Sequence, residues 1–257
     1  MNIKTERIVE DLVRTLSGWD CVDAVVLGES ALEEMNDPYF FLTLDVYYHG
    51  TLPASEVRDE AFAGGAFETS RFKQKDRFLI NDIPVRLEYK DKAAIDDTIA
   101  RMEDLLGTFR EIGTYMFYRI VSGKVLLKKT DWLEETHAKL RAIPESFWRS
   151  LSLMFLRRME HALSDMGAAI IRDDPYFFVV SSGVFIRSLA SCAFAANRRF
   201  EPSDRYVRNQ ITNLPRLPDH FRGHFESMLR EDVNLGPERK RQIAEFLVKG
   251  FIGLIEP

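Results

Sequence analysis

At 257 residues the chain is long enough for one large domain or two ordinary ones, and a hydrophobic fraction of 46% with 29% charged residues fits a soluble globular protein with a sizeable core. A net charge of −5 argues against broad, sequence-independent nucleic-acid binding, which needs a basic surface. Cys21 and Cys192 lie far apart in apolar surroundings with no CxxC, which argues against a zinc site or a redox pair.

The opening stretch, MNIKTERIVEDLVRTL, is charged and lacks an apolar h-region, so it is not read as a signal peptide. Ile8, Val9, Leu12, Val13 and Leu16 form a helical stripe that Gly18 stops. CVDAVVLG reads as a short strand ending at Gly28. NDPYFFLTLDVYYHG, residues 36–50, reads as a second strand, with Phe40, Leu42, Leu44, Val46 and Tyr48 on one face and Phe41, Thr43, Asp45 and Tyr47 on the other. ASEVRDEAFAG is a helix ending at Gly64-Gly65. AFETSRFKQ, RFLIN and IPVRLEYKD are strands, the last two joined by a turn at Asn81-Asp82.

Beyond about residue 92 the pattern becomes helical, with apolar residues three and four apart and Pro144, Pro175, Pro202, Pro218 and Pro237 near helix starts, where a missing N–H is tolerated. GKVLLKK is expected as a short extended segment between helices. No apolar run approaches the ~20 residues needed to cross a bilayer; the longest, YFFVVSSGVFI, is short and broken by Ser and Gly. The predicted fold is therefore α+β: a mixed sheet with flanking helices over 1–100, then an all-α helical bundle over 101–257. Two free thiols and no targeting segment lead to the expectation of a cytoplasmic protein without a membrane partner.

VVLGESALEEMNDPYFFLTLDVYY couples a strand, a Gly-x-Ser turn, a helical loop and a strand with polar residues at alternate positions. Over residues 20–90 this resembles the nucleotidyltransferase superfamily, the polymerase-β-like fold that includes kanamycin nucleotidyltransferase. In that family a Gly-Ser turn precedes an acid-x-acid pair, and a third acid lies on a later neighbouring strand. The resemblance places Gly28 and Ser30 in the turn as triphosphate-binding residues, with Glu29 between them. It places Thr43 and Asp45 in the acid-x-acid pair and Glu88 as the third acid, so that Asp45 and Glu88 would hold Mg²⁺ or Mn²⁺. The helical remainder, especially SLASCAFAANRRFEPSDRYVRNQITNLPRLP, resembles uncharacterised bacterial members. The implied substrates are ATP or another nucleoside triphosphate and a small-molecule or protein hydroxyl acceptor held by the helical domain.

The spacing suits that chemistry. Two metal ions roughly 3.5–4 Å apart can hold attacking and leaving oxygens in line, and residues i and i+2 of a strand point the same way roughly 6.6 Å apart. Thr43 departs from the pattern because it is neutral. At an effective dielectric near 20 a carboxylate ~4 Å from a unit charge contributes about 4 kcal/mol, on the order of a thousandfold in rate. Asp37, Glu33 or Glu34 could replace it, or the site could hold a single metal. The rival functional reading is a catalytically inactive member of the fold that binds nucleotide or a protein partner as a regulator.

The plainer readings stand beside these. Asp45 could be a solvent-facing acid on a wet sheet face, and Glu88 could pair with Arg86, Lys90 or Arg71. Gly28 and Ser30 could be an ordinary strand-to-helix turn. His220 and His224 share a helix face, but Phe221 stands where the metalloprotease pattern needs Glu. Asn197, Arg198 and Arg199 could meet a triphosphate, since the guanidinium fork binds two oxygens, or form a solvated helix end. Ser181 and Ser182 lack the Gly-x-Ser-x-Gly elbow and read as small residues for close helix packing.

Overall fold

The computed structural model describes residues 3–28, 41–62, 67–69 and 74–255. The chain divides into two compact units, one of residues 1–101 with 116–142 and one of residues 102–115 with 143–257.

The first unit is built on a six-stranded mixed sheet. Its strands are β1 (Val22–Leu27), β2 (Leu42–Tyr48), β3 (Phe67–Thr69), β4 (Lys75–Ile80), β5 (Ile83–Asp91) and β6 (Lys124–Lys128), in the order β3-β4-β5-β2-β1-β6. All neighbours are antiparallel except β2 and β5, which run parallel with Asp45 opposite Glu88. Asn81 and Asp82, both at positive φ, make the tight β4–β5 turn expected of that pair.

One face of the sheet is covered by α1 (Ile3–Ser17), whose Ile8, Val9, Leu12 and Leu16 form a core with Leu42, Leu44, Val46 and Tyr48 of β2. The predicted alternation along β2 is thus obeyed. The other face is not wet, however: all seven residues of β2 are buried. Trp132, which opens α6 (Trp132–Arg141), lies 5.3 Å from Tyr47 between ring centroids. The unit also contains α2 (Ser55–Ala61), α3 (Lys92–Ala100) and, from Met116 on, α5 (Tyr115–Ser122), whose first residue belongs to the second unit. Arg58 of α2 forks onto Asp76 of β4 (2.9 and 3.2 Å), which also accepts the Tyr89 hydroxyl at 2.7 Å. Asp23 of β1 accepts Lys92 Nζ and Thr130 Oγ1, each at 2.8 Å, pinning α3 and the β6–α6 turn to the sheet.

The chain leaves this unit after Arg101 and re-enters it at Met116. The reason is pairing. GKVLLKK, expected as a short extended segment between helices, is β6 between α5 and α6, and it pairs with β1.

The second unit is helical: α4 (Leu106–Ile112), α7 (Glu145–Ile171), α8 (Pro175–Ala196), α9 (Asp204–Ile211), α10 (Phe221–Leu229) and α11 (Pro237–Ile255). The helices α7 and α8 form its centre. Asp173 at positive φ turns the chain between them, and Asp174 caps α8 by accepting the Phe177 N–H at 2.9 Å, with Pro175 at the first helical position. The expectation that no apolar helix reaches membrane-spanning length is corrected here. By length and composition α8 passes that test, with its 22 residues and a window of mean hydropathy 1.7, because Ser and Gly do not interrupt the helix. Half of that window is buried inside the unit, where Ser181, Ser188 and Ser191 are buried small residues.

Gly123, at the α5–β6 junction, tests how closely that junction packs on the sheet. A Cβ added there would come within 2.2 Å of Val26 Cγ1 and 3.0 Å of the Leu27 carbonyl. Gly123→Ala should therefore destabilise by about 1–3 kcal/mol. Gly253→Ala, in open space on α11, should be neutral or stabilising by up to about 1 kcal/mol. Urea melts of both variants check this, and equal midpoints would contradict the close packing.

Candidate functional site

The register of β2 and β5 decides where the two acids go. Asp45 and Glu88 are direct partners across parallel strands, which lie roughly 4.8 Å apart. Their side chains converge on one group, the guanidinium of Arg119 on α5. Arg119 Nη1 donates to Glu88 Oε2 at 2.6 Å, and Arg119 Nη2 donates to Asp45 Oδ1. Lys90 Nζ lies 2.9 Å from the same Asp45 oxygen, and Lys75 Nζ lies 3.6 Å from Glu88 Oε1. Asp45 is fully buried, so the wet-face reading of this acid fails. The plain alternative for Glu88 was right in kind, but its ion-pair partners are Arg119 and Lys75.

Burying two carboxylates side by side is expensive unless cations and hydrogen bonds compensate them. Here the guanidinium bridges them, each nitrogen serving a different acid. Burial alone would raise the Glu88 pKa, but Arg119, Lys90 and Lys75 outweigh it and hold the carboxyl below its ordinary 4.5. Burial pushes the Lys90 ammonium down, and Asp45 recovers part of that loss. Tyr47, one strand position pair beyond Asp45 on the same face, has its phenol pushed well up by burial and then by Asp45. Two buried oxygens of this face, Asp45 Oδ2 and the Tyr47 hydroxyl, have no hydrogen-bond partner among the described residues.

This arrangement can be tested for fit to Mg²⁺, which needs octahedral oxygen ligands at about 2.0–2.1 Å. The gap between the two carboxylates is filled by nitrogen. The third position of the expected set is Thr43, whose hydroxyl faces its own strand, 3.4 Å from the Phe41 carbonyl. Among the described residues no group of three or more His, Cys, Asp or Glu is placed to hold a metal ion. As arranged, Asp45, Glu88 and Thr43 do not fit the expected metal centre.

The phosphate cradle fares similarly. Gly28, placed by the resemblance among the triphosphate-binding residues, donates its N–H to the Thr43 carbonyl at 2.9 Å. A Cβ at Gly28 would sit 3.3 Å from that oxygen, so the glycine serves close approach to β2. Ser30 and the possible substitute acids Glu33, Glu34 and Asp37 lie outside the described residues. Arg198, proposed for a triphosphate, turns the chain at positive φ and pairs with Glu145, while Asn197 hydrogen-bonds the Arg216 backbone in both directions.

Arg119 is the residue that sequence reasoning missed. It stands in YMFYRIVS, close to Phe117 and Ile120 in the chain, both buried. A charge on a helix this apolar was the available signal, since a buried arginine needs an acid.

Comparisons with known proteins add the following. Residues 109–206, which include Arg119, match a family model described as a domain of unknown function, DUF4037. No curated protein matches the chain. Among solved structures, the chain is similar to a nucleotidyltransferase-like protein from Exiguobacterium sibiricum 255-15, with 13% identity, a TM-score of 0.47, and coverage of 98% of this chain and 74% of that one.

Removing Arg119 strands two acids. Arg119→Ala should lower stability by about 3–5 kcal/mol, and Arg119→Lys, which keeps the charge but not the fork, should fall between. Because Glu88 titrates below 4.5 in the folded chain, its stabilisation is complete above that pH and disappears as pH falls through the lowered value. The stability gap between wild type and Glu88→Gln should therefore be flat at neutral pH and close in acid. A gap that does not narrow as the pH falls below 4.5 would show that the charge is not its source.

Proposed function

We propose that this chain is a nucleotidyltransferase-like protein that works by binding and not by metal-dependent nucleotidyl transfer. The observation that carries this reading is Arg119, a fixed internal cation placed where the shared metal of the two acids would sit. With Thr43 already neutral, the Arg119 guanidinium and the Lys90 ammonium together cancel the two carboxylates, leaving the acid pair no net charge to offer Mg²⁺. Counting Asp45 and Glu88 against Arg119, Lys90 and Lys75, the cluster carries a net charge of 3 − 2 = +1. Lys75 is its most exposed member, with a side chain 42% accessible. The ligand we assign is a nucleotide whose phosphates are met by lysine ammonium groups directly. Two free cysteines fit a reducing compartment, and we place the protein in the cytoplasm.

One observation favours the rival enzyme reading: Asp45 Oδ2 is a buried acceptor without a donor among the described residues, an oxygen that a cation could use if Arg119 withdrew. A single experiment separates the two. ATP is added to the intact protein with Mg²⁺ or with EDTA, and melting temperature and pyrophosphate are both read. Binding without transfer gives a rise in melting temperature that survives EDTA, pyrophosphate no higher than in Asp45→Asn, and a smaller rise in Lys75→Met. Pyrophosphate release that needs Mg²⁺ and is lost in Asp45→Asn overturns the proposal. Absence of any nucleotide-dependent shift overturns the assigned ligand.

A further inference from the structure

The helical unit holds charged groups that the sheet site does not explain. A cavity of about 610 Å³ lies among α4, α7, α8 and the segment entering α9, within the roughly 300–1,000 Å³ of small-molecule sites. Its lining brings together Glu201, Ser191, Arg187, Arg158, Phe155 and Tyr115. We infer that this cavity binds a small zwitterion of the amino-acid class, its ammonium on Glu201 and its carboxylate on Arg187. The inference stands apart from the nucleotide reading, since every residue it uses belongs to the helical unit.

Glu201 is held in place by hydrogen-bond donors, none of them a cation among the described residues. Ser191 Oγ donates to its Oε1, and the Thr114 N–H donates to its Oε2 at 3.3 Å. The Glu201 N–H in turn donates to Thr114 Oγ1 at 2.9 Å. Gly113, at φ +72°, makes the approach possible, because a Cβ there would stand 3.0 Å from Glu201 Oε2. Among the described residues no ion pair reaches Glu201. Burial pushes its carboxyl up, more than Ser191, Thr114 and the distant Arg187 charge pull it down. A carboxylate so placed gains from an incoming ammonium, which restores the charge compensation that burial removed.

Arg187 is the complementary group. It shares a face of α8 with Ser191, four residues on, or ~6 Å along the axis. Among the described residues it makes no ion pair, and it reaches Glu201 only as a charge across the cavity. Arg158 is occupied differently: its Nη1 donates to the Arg110 carbonyl at 3.0 Å and to Glu111 at 3.3 Å. The cavity thus presents one acid and one base, neither with a salt-bridge partner among the described residues, the acid held by Ser191 and the base one helical turn from that serine.

That pairing decides the ligand class. A phosphate ester would satisfy the arginines but be repelled by Glu201. A polyamine would satisfy Glu201 but be repelled by Arg187, Arg158 and Arg110. A molecule with one positive and one negative group a few atoms apart satisfies both. Phe155, Val184 and Ile112 add apolar wall for a side chain.

The test uses the whole chain and a panel of L-amino acids as probes, read by melting temperature and then by calorimetric titration. For each amino acid that binds, the matching amine without the carboxylate and the matching acid without the amine are titrated in parallel. The expected result is binding by at least one amino acid, with both truncated analogues weaker by at least roughly tenfold, as for loss of a charged hydrogen bond. Glu201→Gln, which keeps an acceptor for Ser191, and Arg187→Met should each weaken binding by a similar factor. Arg187 is exposed, so its variant carries the test should Glu201→Gln fail to fold. No binding by any amino acid overturns the inference. So does an amine or an acid that binds as tightly as the parent, or affinity unchanged in a folded Arg187→Met.

Discussion

Two acids in register on adjacent parallel strands, both removed from water, cannot coexist as charges without a cation between them. The first unit depends on how that constraint is met. Arg119 meets it from α5 and Lys90 meets it from within β5, next but one to Glu88. The helix that carries Arg119 is held against the sheet by the charge it supplies, as well as by the apolar contact of Phe117 and Ile120 with their surroundings. Bridging of this kind converts what would be a ligand set into a structural joint. The same geometry that suits two carboxylates to share an ion suits them to share a guanidinium.

Two further buried clusters follow the same logic at the edges of the sheet. Arg58, Asp76 and Tyr89 join α2 to β4 and β5, and the arginine also stacks 5.1 Å over the Tyr89 ring. Asp23, Lys92 and Thr130 join β1 to α3 and to the turn before α6. Each cluster fixes a peripheral helix by directional bonds where apolar packing alone would allow sliding. Breaking any one member leaves a buried charge, so these joints favour a single arrangement more than they add net stability.

Much of this was legible in the chain. The stripe of Ile8, Leu12 and Leu16 and the alternation through Leu42, Leu44 and Val46 reported a shared core, because period and burial are local properties. Asn81-Asp82 announced its turn, and Pro144, Pro175 and Pro237 announced helix starts. The convergence of Asp45 and Glu88 followed from the family resemblance. What could not be read was the occupant of the gap between them. Arg119 lies 74 residues from Asp45, on a helix whose composition groups it with the bundle, and no local pattern encodes a partner at that range. Glu201 escaped notice for the same reason: its donor Thr114 lies 87 residues away, and an acid in a loop looks like solvent decoration until the cavity forms. The dry second face of β2 was missed because Trp132 and Arg119, which cover or neutralise it, arrive so late in the chain.

The return of the chain to form β6 carries a consequence for how the molecule is made and cut. Val26 finds its edge partner Val125 only after 125 − 26 = 99 further residues have been added. During synthesis β1 therefore waits as an open border of exposed amides, the kind of template that invites foreign strands. A fragment ended at the compositional boundary near residue 100 would keep that border bare permanently. It would also lack the arginine that neutralises its two acids, so the shortest sensible piece of the first unit must run through the end of α6.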